Sequence, residues 1–441
     1  MNFLRDKGDI MAYLKIYPSR LEGVVEVPPS KSMAHRAIIC ASLSEGKSKI
    51  ENIDYSDDIN ATIDGMKALG AKIVKSYDSL EITGIYSKDI DIEEFRVIDC
   101  NESGSTLRFL VPISLLVKGK SKFIGRGNLG KRPLTTYYEI FDNQGIKYSY
   151  EENSLNLELE GNLKGGEFYV KGNISSQFIT GLLFSLPLLK EDSRIIITTD
   201  MESKGYIDLT LSALKEFGIS IINNDYKEFI IKGNQRYLSR DYRVEGDYSQ
   251  AAFFLSANAL GNNVLVKDLS LNSLQGDKEV IDILERMKVR FINSDDGISS
   301  MVNGELSSTI IDGSQCPDII PVLAAVASLA EGKTEIINAG RLRIKECDRL
   351  SAVKLELSKL GADIEEKEDG LVICGVNKLQ GGIEVWSHKD HRIAMTLAIA
   401  ATRCSEPIII KDYECIAKSY PKFFDDYKML GGKVDEWNVG K

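Results

Sequence analysis

Apolar, helix-like runs recur six times along this 441-residue chain, each opening just behind a polar or glycine residue. The opening positions are Lys31, Gly104, Ser175, Asp247, Asp318 and Asp390, separated by 73, 71, 72, 71 and 72 residues. Representative runs are KSMAHRAIICASL, GSTLRFLVPISLL, SSQFITGLLFSLPLL and DIIPVLAAVASLA. A second series keeps the same beat at Gly70, Gly145, Gly218, Lys288, Gly361 and Gly431, in segments such as MKALGAKIV, KEFGISII and SKLGADIEE. Each copy of it predicts a helix end, a glycine C-cap (lysine in the fourth copy) and a following strand. Each period therefore predicts helix, strand, helix, strand, strand, with EVIDILERMKVRFIN taken as strand ahead of GISSMVNG. Self-similarity at a fixed period decides a fold before other signals do. Six units fit one six-fold body or two three-fold bodies, and the length favours two domains of three units each. YRVEGDYS, near residue 245, is the expected crossing point, and no low-complexity stretch suggests a tether. Helix starts matter beyond architecture, because their unpaired N–H groups and positive dipole end bind anions.

Composition narrows the class. Hydrophobic residues at 43% and charged residues at 27% describe a soluble globular protein. No apolar stretch is long enough to span a bilayer, and MNFLRDKGDIMAYLKI lacks the apolar core of a signal peptide. Residues 1–11 read as a short disposable extension, with Met11 an alternative start. The seven cysteines are scattered, odd in number and without a CxxC pair, which points to reduced thiols in a cytoplasm. A net charge of −10 disfavours general nucleic-acid binding, although a cleft can still gather positive charge for small anions. Basic residues do gather beside the repeat starts and on a few loops: Lys31, Arg36, Arg108, Lys131, Arg132, Arg341, Arg343, Lys345, Arg349, Arg392 and Lys418.

Taken singly, the candidate motifs have ordinary explanations. PPSKSMAHR puts prolines and serines at a helix start, with Ser32 and Arg36 on one face, and an ordinary capped surface helix explains it equally well. SEGKS resembles the end of a phosphate-binding loop, but Ala41 stands where that loop needs glycine. NESGSTLR places Gly104 where a ligand can touch backbone, with Arg108 one turn on. GNLGKRP offers Lys131 and Arg132, and SSQF two hydroxyls and an amide. RLRIKECDRL packs three arginines, a lysine, a glutamate and an aspartate into ten residues, a pattern usually spent on a solvated helix face. CPDIIP and KDHRIAM each bring an aspartate to a helix start, where capping is the common use. HKDH joins two of the three histidines, but no third donor spacing supports a metal site.

Together, KSMAHR, GSTLR, KRP, SSQF, SKGYID, VEGD, NSLQGD, PD, RIKECDR, DHR and AKSYP resemble the 5-enolpyruvylshikimate-3-phosphate synthases, in that family's order, from about residue 12 to the C-terminus. The resemblance implies an α/β fold of two similar lobes, each of three βαβαββ repeats, the inside-out α/β barrel of the enolpyruvyl transferases, with the active site between the lobes. One lobe is expected to comprise 12–29 plus 246–441 and the other 30–245. The implied reaction transfers the enolpyruvyl group of phosphoenolpyruvate to the 5-hydroxyl of shikimate 3-phosphate, without metal or organic cofactor. By the same resemblance Asp318 is the base and Glu346 the proton donor, flanked by Lys31 and Lys418. Shikimate 3-phosphate is expected on Lys31, Ser32, Arg36, Ser175, Ser176, Gln177, Ser203, Tyr206, Asp318, Arg341 and Lys345. Phosphoenolpyruvate is expected on Lys31, Gly104, Arg132, Gln177, Glu346, Arg349, His391, Arg392 and Lys418. The inhibitor glyphosate overlaps this second set. A monomeric cytoplasmic enzyme, with no nucleic-acid or membrane partner, completes the expectation.

Three positions depart from the family pattern. Glu102 stands where many members carry asparagine, and a carboxylate there repels an anionic substrate unless it turns away or pairs with a cation. Arg341 replaces a usual asparagine, which strengthens phosphate binding if it reaches the ligand. Phe109 follows Arg108 where proline or leucine is frequent. The related UDP-N-acetylglucosamine enolpyruvyl transferases carry asparagine after the first lysine and a loop cysteine; here Ser32 and the cysteine-free GKSKFIGRGNLGKRP stand instead. An inactive relative serving as a scaffold is expected to lose its carboxyl and ammonium groups, yet Lys31, Asp318, Glu346 and Lys418 are all present.

Overall fold

The computed structural model describes residues 12–86, 95–151, 153–294, 297–302 and 304–438, so the expected extension at 1–11 lies outside the described residues. The repeat-opening helices are Lys31–Ser42, Gly104–Ser114, Ser176–Ser185, Tyr248–Ala259, Ile320–Ala327 and His391–Ala401. They are covered on nearly every side; in the last, all 11 residues are buried. A helix apolar all round belongs in an interior. The strands alternate instead: Lys120–Ile124 buries Ser121 and Phe123, and Lys47–Glu51 buries Ser48 and Ile50. One face of each sheet thus packs inward while the other meets solvent.

The described residues form six four-stranded sheets, all built alike: one parallel pair, then two antiparallel additions. In one repeat, Phe95–Asp99 runs parallel to Lys120–Ile124, with helix Gly104–Ser114 as the crossover. Asn156–Glu160 and Lys147–Ser149 then add antiparallel. The chain folds as two compact units with three such sheets each. One holds the described residues up to Val27, Ser249–Asp268 and those from Asp277 onward; the other holds Pro28–Tyr248 and Leu269–Gly276. Residues 28–29, 246–248 and 269–276, expected with the former, belong to the latter. Strand Ala12–Tyr17 lies between Ile408–Lys411 and Lys433–Asn438, and Glu22–Glu26 pairs parallel with Asn263–Lys267. The chain's first two strands therefore complete sheets made by its second half.

All six positions of the second series have positive φ, from +67° at Gly145 to +108° at Gly70. Lys288, at +70°, accepts the conformation that glycine takes without strain in the other five. EVIDILERMKVRFIN is corrected: it splits into helix Val280–Arg286 and strand Val289–Ser294, the i, i+3, i+4 spacing of Val280, Ile283 and Leu284 suiting a helix face. Among the described residues no helix is long and apolar enough to cross a membrane.

One buried group ties this packing to pH. His35 Nδ1 lies 2.7 Å from Thr62 Oγ1, and burial pushes its pKa from 6.5 down to about 3. Because the unfolded chain takes up the proton first, this stability is full above pH 6.5 and lost as pH falls toward 3. At about 1.4 kcal/mol per pH unit per proton, wild type should lose roughly 2 kcal/mol more than His35→Gln between pH 6.5 and 5. Equal losses in urea denaturation of the two proteins would refute the assignment.

Candidate active-site residues

Within unit Pro28–Tyr248, three serines start three helices. Ser30, Ser103 and Ser175 each accept a hydrogen bond from a first-turn N–H, of Met33, Thr106 and Gln177 respectively. Lys31, Gly104 and Ser176 follow them as first helical residues. Lys31 is held twice over: its Nζ lies 2.8 Å from Asp58 Oδ2, and its backbone N–H donates to Asp247 Oδ2 at 3.0 Å. Asp247, which opens the fourth run, thus receives the first N–H of helix Lys31–Ser42. Asp58, mostly buried, was missed, because nothing in SDDINATID distinguishes it from the usual acidic first turn of a helix.

Around Gly104 the side chains form a linked set. Arg108 Nη1 donates to Gln177 Oε1 at 2.8 Å, and Gln177 Nε2 donates to Ser105 Oγ at 2.9 Å. A methyl group at Gly104 would sit 2.7 Å from Arg132 Nη1 and 3.1 Å from Arg108 Nη1. Absence of a side chain there is what lets two guanidinium groups approach the helix start. The carboxyl of Glu102 lies over Gly127, where the missing side chain leaves room for it.

Arg36 donates to Thr210 Oγ1 at 2.9 Å, to the Ser32 carbonyl at 2.6 Å and to the Tyr206 carbonyl at 2.8 Å. Burial lowers its pKa to about 10, which leaves it charged near neutrality. Through it Ser32 and Tyr206 are brought together. Ser203, buried, starts the next helix with a left-handed φ of +54°.

The unit that contains the C-terminal half carries the carboxylates. Arg349, 1% exposed, donates from Nη1 to Asp318 Oδ1 at 2.7 Å, from Nη2 to Glu346 Oε2 at 2.9 Å and from Nε to Asp390 Oδ2 at 2.8 Å. Lys345 Nζ lies 3.4 Å from Asp318 Oδ1, and Lys418 Nζ lies 3.4 Å from Glu346 Oε1. Burial alone would raise the Asp318 pKa, but Lys345, Arg349 and Arg392 hold it well below the usual carboxylate range. Burial lowers the pKa of Lys345, with Asp318 opposing. RLRIKECDRL is thus not a solvated face; its Arg349 and Lys345 are turned inward.

Asp318, the base implied by the resemblance, stands near a helix start, where capping is the common use of an aspartate. It precedes helix Ile320–Ala327 by two residues, and that helix has no side-chain cap. Asp390 does cap, accepting from Arg392 N–H at 2.8 Å. Arg392 itself, 3% exposed, donates to the Ser249 carbonyl at 2.9 Å, and His391 Nδ1 lies 3.9 Å from Asp390 Oδ1. Arg341 sits in the turn Gly340–Ile344. The groups held around Arg349 combine a hydrogen-bond-ready carboxylate, a second carboxylate within reach of an ammonium, and fixed cations for an anionic ligand.

Residues 16–427 match the family model described as EPSP synthase (3-phosphoshikimate 1-carboxyvinyltransferase). The protein named 3-phosphoshikimate 1-carboxyvinyltransferase from Clostridium beijerinckii is 68% identical over 435 residues, covering 98% of this chain and all of that one. Its namesake from Clostridioides difficile is 67% identical over 438 residues, with the same coverage. The solved structure of EPSP synthase from Acinetobacter baumannii aligns with TM-score 0.80 and 25% identity over 97% of this chain and 100% of that chain. The enolpyruvyl transferase NikO from Streptomyces tendae aligns with TM-score 0.79 over 97% of this chain and 99% of that chain, at 15% identity, a likeness of fold alone.

Proposed function

The chain belongs to the EPSP synthase family, and from that membership we propose how its residues divide the reaction. The enzyme transfers the 1-carboxyvinyl group of phosphoenolpyruvate to the 5-hydroxyl of shikimate 3-phosphate, a step of the shikimate pathway. In the addition step the hydroxyl oxygen bonds to C2 of phosphoenolpyruvate, C3 gains a proton and the hydroxyl proton leaves. In the elimination step the C2–O bond to phosphate breaks and C3 loses a proton, which restores the double bond and releases phosphate.

In our reading Asp318 accepts the hydroxyl proton. Held ionised by two close cations, it is a weak base in the resting protein but a ready acceptor. The proton moves as bond formation acidifies the hydroxyl. Glu346 protonates C3, and Lys418 beside Oε1 is placed to reload it. The observation that carries the reading is Arg349, one guanidinium that grips Asp318 and Glu346 at once and so fixes the two carboxylates relative to each other.

Shikimate 3-phosphate is assigned to Lys31, Ser32, Arg36, Ser175, Ser176, Gln177, Ser203, Tyr206, Asp318, Arg341 and Lys345. Phosphoenolpyruvate is assigned to Lys31, Gly104, Arg132, Gln177, Glu346, Arg349, His391, Arg392 and Lys418. Arg36 spends much of its guanidinium on protein carbonyls, so its contribution is partly to align Ser32 and Tyr206. The reading includes a monomer in the cytoplasm, in keeping with seven free cysteines. Phosphate release measured with shikimate 3-phosphate and phosphoenolpyruvate together tests it. Release that needs UDP-N-acetylglucosamine instead of shikimate 3-phosphate would overturn the assignment of acceptor.

Gly104 gives a finer test. In Gly104→Ala the new methyl meets the far end of Arg132, a flexible side chain, so the fold should survive while Arg132 is displaced. The expected result is a KM for phosphoenolpyruvate raised about tenfold, ~1.4 kcal/mol of lost binding. The KM for shikimate 3-phosphate should change little. Equal rises in both would contradict the placing of Gly104 and Arg132 on phosphoenolpyruvate.

A further inference from the structure

HKDH remained unexplained by metal binding, and its first histidine takes no part in the chemistry above. We infer that His388, gripping the buried carboxylate of Glu356, is a positioning residue that keeps Asp390 and Arg349 in register for phosphoenolpyruvate. The inference rests on the assignment of Arg349 and Arg392 to that substrate.

The turn leading into helix His391–Ala401 passes through two consecutive left-handed residues that are not glycine, His388 at φ +53° and Lys389 at φ +56°. Left-handed backbone at residues with a side chain is strained and persists where its surroundings over-determine it. Here they do. His388 Nε2–H donates to Glu356 Oε1 at 2.9 Å, and the Trp386 N–H donates to Glu356 Oε2 at 2.9 Å. The Trp386 and His388 rings lie 4.2 Å apart between centroids. Ser387 Oγ donates to the Asp412 carbonyl at 2.9 Å and accepts from Lys389 N–H at 3.1 Å. The turn closes with Asp390 N–H on the Ser387 carbonyl at 2.9 Å.

The grip has a functional geometry because of where Glu356 stands. It lies on helix Arg349–Lys359, seven residues after Arg349, so two turns further along the same face. That helix therefore meets the 386–390 turn at two points, Arg349 with Asp390 at one end and Glu356 with His388 and Trp386 at the other. Glu356 is 1% exposed. Burial opposes its charge, but His388, Lys359 and the Trp386 N–H hold its pKa below the usual carboxylate range. Release of the second point frees the strained turn to relax, and Asp390, which aligns Arg349 and caps the helix of Arg392, moves with it.

A merely structural pair would lower stability without preferring one substrate. The test is steady-state phosphate release with each substrate varied in turn, beside thermal denaturation, for wild type, His388→Ala, His388→Gln and Glu356→Gln. Expected are a KM for phosphoenolpyruvate raised about tenfold in His388→Ala and Glu356→Gln, a KM for shikimate 3-phosphate within twofold of wild type, and a kcat within threefold. His388→Gln, which keeps a side-chain N–H donor, should recover most of the affinity. Unselective KM changes, or a phosphoenolpyruvate KM unmoved in a folded Glu356→Gln, would overturn the inference even if His388→Ala does not fold. A wild-type enzyme that turns over without saturating in phosphoenolpyruvate would overturn the substrate assignment beneath it, a distinct outcome.

Discussion

Asp318→Asn should fold, bind shikimate 3-phosphate and turn over about 10²–10⁴-fold more slowly than wild type, the usual cost of a lost general base. The amide keeps the shape and one acceptor oxygen but cannot take a proton. Its pairing with Lys345 at 3.4 Å and Arg349 at 2.7 Å weakens from charge–charge to charge–dipole. The loss should fall on kcat and leave the KM for shikimate 3-phosphate within a few fold, because the acceptor oxygen is still there. Glu346→Gln should lose a similar factor for a different reason, since the amide has no acidic proton for C3. The two are separable in D₂O. If Glu346 delivers the proton, deuterium enters the methylene of recovered phosphoenolpyruvate with wild type and stops with Glu346→Gln. Near-normal turnover in either variant would remove that residue from the role given to it.

These roles show where the sequence was legible and where it was not. The six apolar runs became six buried helices, and the six C-terminal turns all took positive φ, because both signals are local: a helix's hydrophobicity and its stop are written within a dozen residues. EVIDILERMKVRFIN misled for the same local reason, its apolar residues being too dense to separate periods of 2 and 3.6. The bonds that aim the site are not local. Lys31 is fixed by Asp58, 27 residues on, and by Asp247, 216 residues on. Asp318 was placed by its helix start yet serves Lys345 and Arg349 instead of that helix. A carboxylate near a helix start looks the same in sequence whether it caps or pairs. Family resemblance carried the site list, and only side-chain geometry distinguished groups held ready from groups already spent on the protein, as at Arg36.

Arg349→Met should cost about 3–5 kcal/mol of stability at pH 7, the price of stranding buried charge. Methionine is shorter but keeps most of the side chain's volume, so the loss reports electrostatics more than packing. Three carboxylates lose a partner. Asp318 retains Lys345 and Glu346 retains Lys418, each at 3.4 Å. Asp390, 0% exposed, retains the N–H of Arg392 and loses the guanidinium that contacted both its oxygens. The sign of the pH dependence follows. In wild type the depressed pKa of Asp318 contributes stability that is full above its unfolded pKa and lost as pH falls through the folded one. In the variant, a buried carboxylate without its cation gains by protonation, so falling pH relieves the strain. Urea denaturation at pH 7 and pH 5 should therefore show the gap between wild type and Arg349→Met narrowing at the lower pH. A gap under 1 kcal/mol at pH 7, or one that widens toward pH 5, would mean that Arg349 is not the charge holding this cluster together.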